Sequence, residues 1–184
     1  FLYCIESYKR LEDTKRTALK STDFKALENN KINITEAHQS KEVILLPSMG
    51  AITDILASLL HSEGIYAETL PKPTNDSLRF GRQYTSGKEC IPMTITAGSL
   101  LERLSRENDS DKRFAFFMPT SHGPCRFGVY NVLHKIILEK TNWGDRVRIV
   151  APNDQDYFAG MSPDFRVRAI AGYAASDLLM AALH

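Results

Sequence analysis

Two short turns hold the residues best suited to chemistry. One is Gly87-Lys88-Glu89-Cys90-Ile91-Pro92; the other is Gly123-Pro124-Cys125-Arg126-Phe127-Gly128. Each sets a thiol among Gly and Pro, and each opens a segment patterned as a helix. The thiolate is both a nucleophile and a soft metal ligand. Lys88 stands just before one thiol and Arg126 just after the other, and a nearby cation and the positive end of a helix both favour thiolate over thiol. The second turn follows an apolar strand directly, and a matching place is expected for the first. In an α/β fold that is the edge where ligands bind. Cys90 and Cys125, 35 residues apart, are therefore expected to converge on one pocket and bind metal. Two thiols do not fill a tetrahedral site, so further ligands would come from Cys4, another part of the polypeptide or a second chain. The plainer alternative is a small buried hydrophobe at each position.

Other candidates carry less. His122 lies three residues before Cys125, where a Cys–His nucleophile pair is conceivable. Nothing in the sequence supplies an obvious third group to orient it, and it reads as a solvated turn residue. His38, His61, His134 and His184 read as surface positions. Ser48-Met49-Gly50 could receive a phosphate at a helix start, but it lacks the glycine patterns of nucleotide-binding loops and reads as a plain turn. Arg146, Arg148, Arg166 and Arg168 read as solvated faces, with a patch for an acidic cofactor such as coenzyme A as the alternative.

The elements that must position the two turns are legible. Val43-Ile44-Leu45-Leu46 is a continuous apolar run, as in a buried parallel strand. Ile52, Ile55, Leu56, Leu59 and Leu60 then mark one helix face, and Gly64 suits the position after a helix end. Ile65 to Leu70 is a second strand, completing a strand–helix–strand unit whose strands should be parallel. A short helix is expected within Asp76 to Arg82, and Pro92 suits the first turn of the next, which carries Ile95, Leu100, Leu101 and Leu104. Phe114 to Met118 is a third strand. Val129, Val132, Leu133, Ile136 and Ile137 mark the following helix, and Val147 to Pro152 a fourth strand. Ser162 and Pro163 cap and open the last helix. This alternation predicts an α/β fold: a doubly wound, mostly parallel Rossmann-like sheet with helices on both faces. Residues 1–40 read as a partly helical connector arm and 41–184 as the α/β domain.

Composition bounds the rest. The chain has 184 residues, 43% hydrophobic and 24% charged, as in an ordinary globular domain with a core of its own. A net charge of +1 gives no bulk reason to expect nucleic acid or an anionic membrane. No apolar run reaches spanning length. Three scattered cysteines are not a disulfide framework and suit a reducing cytoplasm. The chain starts at Phe1, and its last helix, Ser176 to Leu183, has no stop signal, so a longer polypeptide is expected.

Four segments together resemble one family. They are Tyr84-Thr85-Ser86-Gly87-Lys88-Glu89-Cys90-Ile91-Pro92, Phe116-Phe117-Met118-Pro119, Gly123-Pro124-Cys125-Arg126-Phe127-Gly128-Val129-Tyr130-Asn131 and Pro152-Asn153-Asp154-Gln155. They resemble the 2-hydroxyglutaryl-CoA dehydratase and benzoyl-CoA reductase-like iron–sulfur family, in particular a domain of long CoA-substrate-specific enzyme activases. The likeness runs from about Val43 to Gln155. It implies a [4Fe–4S] cluster with Cys90 and Cys125 as ligands and Gly87, Lys88, Ser121, His122, Gly123, Arg126 and Gly128 as its surroundings. It implies an ATPase portion elsewhere in the chain, similar to sugar kinases, that uses ATP to drive low-potential electron transfer. Implied partners are those remaining domains, a second copy or a dehydratase-like subunit. A dehydratase-type subunit supplies three cysteines; this chain matches two. No residue stands out for substrate chemistry, so the domain alone is not expected to be catalytic. The alternatives are a nucleotide- or CoA-binding module, or an assembly domain, without bound metal.

Overall fold

The structure, a computed structural model, describes residues 31–183 apart from 154, 155, 157 and 159. The expected helices of the arm before residue 31, together with Cys4 and His184, lie outside the described residues, as do Asp154 and Gln155 of the fourth matching segment.

Among the described residues, five strands form one parallel sheet: β1 (Lys31–Ile32), β2 (Val43–Leu46), β3 (Ala67–Thr69), β4 (Phe114–Phe117) and β5 (Val147–Val150), in the order β1-β5-β4-β2-β3. Every residue of β2 and β4 is buried, which is why both read as unbroken apolar runs. Alternate side chains serve opposite layers. Ile44, Leu46, Ala115, Phe117 and Val150 face a core closed by α1 (Ile34–Gln39), α2 (Ala51–Ser62) and α6 (Pro163–Ala182). Val43, Leu45, Phe114, Phe116, Val147 and Ile149 face the other core, under α4 (Ile91–Ser105) and α5 (Tyr130–Lys140). The expected doubly wound arrangement is therefore present. Helix α3 (Asn75–Arg82) lies against α4, with Gly81 and Gly98 at the crossing. Among the described residues, no helix is long and apolar enough to cross a membrane.

Three expectations shift. The stretch from Lys31 to Gln39, assigned to the connector, belongs to the sheet domain: Lys31 pairs with Ile149, Ile32 pairs with Val150, and Ile34 and Ala37 are buried. A two-residue strand and a six-residue helix are too short to show a period. Asn33 secures the turn between them, accepting from the Glu36 N–H at 2.7 Å. The inward face of α2 is Thr53, Leu56, Ala57 and Leu60, with Ile52 exposed. This helix contacts the sheet on one side and α6 on another, where Ile55 meets Gly172, so its bulky stripe is shared between neighbours. In α5 the inward residues include Tyr130, His134, Ile137 and Leu138, whereas Val129 is exposed in a preceding 3₁₀ turn (Arg126–Val129).

Candidate cysteine site

Topology brings the two cysteine turns to one edge. Cys90 is the N-cap of α4, the helix that runs back to feed β4, so it sits at the carboxyl end of the sheet. Cys125 follows β4 and is the N-cap of the 3₁₀ turn leading into α5. Both helices cover the same face of the sheet, so the two thiols share a rim and a side. The strand order reverses between β2 and β4, the place where such sheets open a crevice.

One contact joins the turns, and local features shape each of them. The Arg126 guanidinium donates to the Lys88 carbonyl, linking one turn directly to the other. Gly87 and Gly123 hold φ values of +85° and +133°, a region that penalises any side chain with a Cβ. At Gly128 the demand is space: a Cβ there would come within 2.6 Å of the Ser121 carbonyl oxygen. Thr120 closes the same loop, donating to the Gly128 carbonyl at 2.9 Å. Ser121 is half-buried and His122 exposed.

The two sulfurs are not equivalent. Cys125 is exposed, and its Sγ accepts from the Phe127 N–H at 3.5 Å. Cys90 is half-buried, with its Sγ 2.8 Å from the Tyr130 hydroxyl. Burial first, then the contact with Cys90 and the nearby Cys125 charge, push the Tyr130 phenol well above its ordinary pKa. It therefore keeps its proton at neutral pH. Beside Cys90, burial works to raise the Glu89 pKa. N–H and hydroxyl donors from its own backbone and from Ser86 outweigh that and hold it below the usual range.

Sequence patterning missed Tyr130 and His134. Tyr130 is 6% exposed and opens α5; its ring meets Phe127 edge-on at 5.3 Å. His134, expected on the surface, is fully buried one turn later. Its Nε2 lies 3.1 Å from Thr96 Oγ1, tying α5 to α4. Burial pushes its pKa down to about 4. The i, i+4 spacing of Tyr130 and His134 was the available signal, but both are polar enough to read as solvent-facing. Arg146, Arg148, Arg166 and Arg168 are also more engaged than expected. Arg146 stacks on Trp143 at 4.3 Å, Arg148 pairs with Glu42 at 2.7 Å, Arg166 with Asp156 at 3.4 Å and Arg168 with Asp164 at 2.9 Å.

Among the described residues, no group of three or more His, Cys, Asp or Glu side chains is arranged to hold a metal ion. The rim offers two thiols, a soft donor set that suits iron–sulfur chemistry and supplies half of four ligand positions. No family model, curated protein or solved structure matches the chain.

Proposed function

We propose that this domain supplies Cys90 and Cys125 as two ligands of a [4Fe–4S] cluster whose remaining ligands come from another segment or subunit. The observation that carries this reading is the presence of both thiols on one rim and one face, joined by the Arg126–Lys88 contact. The resemblance in the two turns points to the cluster and to its wider role. That role is low-potential electron transfer, driven by ATP in an ATPase portion of a cytoplasmic activase or dehydratase-like protein. When bound, the cluster would accept and pass on one electron at a time. The chain's own residues hold the thiols. Gly87 and Gly123 permit the turns, Gly128 admits the Ser121 carbonyl, and the Lys88 and Arg126 charges balance the anionic ligands.

The nucleotide- or CoA-binding alternative is less well served. On the other face, at the carboxyl ends of β2 and β4, lies a cavity of about 380 Å³ lined by Leu46, Met49, Ile52, Phe117 and Tyr173 among others. None of its described lining residues is Lys or Arg, which leaves phosphates without a charged partner.

The test is anaerobic reconstitution of the full-length polypeptide with iron and sulfide. The parent protein should load iron and sulfide, and a Cys90→Ala, Cys125→Ala double variant should lose most of both. A double variant that keeps its full content refutes the reading.

A further inference from the structure

Among the described residues, Cys90 has a side-chain hydrogen-bond contact that Cys125 does not make. Tyr130 Oη stands 2.8 Å from Cys90 Sγ, within hydrogen-bonding reach for a sulfur acceptor. A ligating cysteine is a thiolate and has no proton to give, so in that state the phenol must be the donor. The phenol is held in place from several directions. Tyr130 is the first residue of α5, 6% exposed, with Phe127 against its ring at 5.3 Å and His134 at 6.4 Å. His134 reaches Thr96 on α4, so the helix presenting the sulfur and the helix presenting the phenol are tied a second time, further along.

From this geometry we infer that Tyr130 is a positioning residue of the cysteine site. Its hydroxyl fixes the Cys90 sulfur at the rim and raises the reduction potential of the cluster ligated there. This rests on the cluster reading above. Hydrogen bonds to cysteine sulfur draw electron density from the ligand and favour the reduced, more negative cluster. Among the described residues, Cys125 receives the Phe127 backbone N–H at 3.5 Å and no side-chain donor. The two ligands thus differ in donor strength, and the stronger donor is a side chain that can be changed without touching the backbone.

The experiment compares the parent protein, Tyr130→Phe and Tyr130→meta-fluorotyrosine after anaerobic reconstitution of the full-length polypeptide. Iron and sulfide content are measured, and the midpoint potential is followed by electron paramagnetic resonance. Removing the hydroxyl should shift the midpoint potential of the loaded cluster negative. The fluorinated phenol, a stronger donor, should shift it positive. Midpoints equal to the parent in every variant that loads a cluster overturn the inference and leave the cluster reading standing. If Tyr130→Phe fails to fold or load, the fluorinated variant decides alone. A parent protein that binds no iron overturns both.

Discussion

His134 shows how one buried titratable side chain couples the fold to pH. It is neutral in its fully buried position, with a pKa lowered to about 4, against about 6.5 in an unfolded chain. Between those values the unfolded state binds the extra proton, so stability is complete above about pH 6.5 and declines as pH falls toward 4. The size of the effect is roughly 3 kcal/mol. Urea unfolding at pH 7 and pH 4.5 should show this loss in the parent protein and a visibly smaller one in His134→Gln. Equal losses would mean that other groups carry the acid sensitivity. At the same scale, the exposed Cys125 should react with iodoacetamide before the half-buried Cys90, whose sulfur faces Tyr130. Mass spectrometry of the metal-free protein at early times reads the order directly.

At the scale of elements, α3 and α4 cross with their backbones in close contact. A Cβ on Gly98 would lie 1.7 Å from the Ser77 carbonyl oxygen and 2.7 Å from the Gly81 nitrogen. Both are backbone atoms, so relief requires moving a whole helix. Gly98→Ala should cost about 3 kcal/mol or more, beyond the usual overpacking penalty. Gly172→Ala is the control. Its Cβ would meet only the Ile55 Cγ2 methyl, at 2.9 Å, which can shift, so the loss should stay near or below about 1 kcal/mol. Chemical denaturation midpoints distinguish the two, and comparable losses would show that the α3–α4 contact yields more readily than backbone packing allows. The crossing also bears on the cysteine site, because α4 carries Cys90 at its N-cap.

Across the whole molecule, a long-range ion pair joins segments 106 residues apart. Glu42, just before β2, is 4% exposed and meets Arg148 on β5 at 2.7 Å. Removing the cation strands a buried carboxylate, so Arg148→Met should cost roughly 3 kcal/mol, near the low end for a broken buried pair because Arg148 retains some exposure. A Glu42→Gln, Arg148→Met double variant should recover much of that, since no net charge is then left buried. A double variant no more stable than Arg148→Met alone would show that the pair acts through packing instead of charge.

The amino-acid pattern alone specified the repeating strand–helix alternation, the four longer strands, the capped start of α6 and the two cysteine turns. These are local features. A fully buried strand must be apolar along its length, and turns that need positive φ or close backbone approach select Gly87, Gly123 and Gly128. What three-dimensional packing added is non-local. It supplied β1, whose two residues gain meaning only by pairing with β5. It rotated the buried faces of α2 and α5, because a helix touching two neighbours shares its apolar residues between them. It also set Tyr130 against Cys90 and sealed His134 of α5 against α4 and β4, contacts that depend on how elements pack and that no periodicity along one of them can reveal.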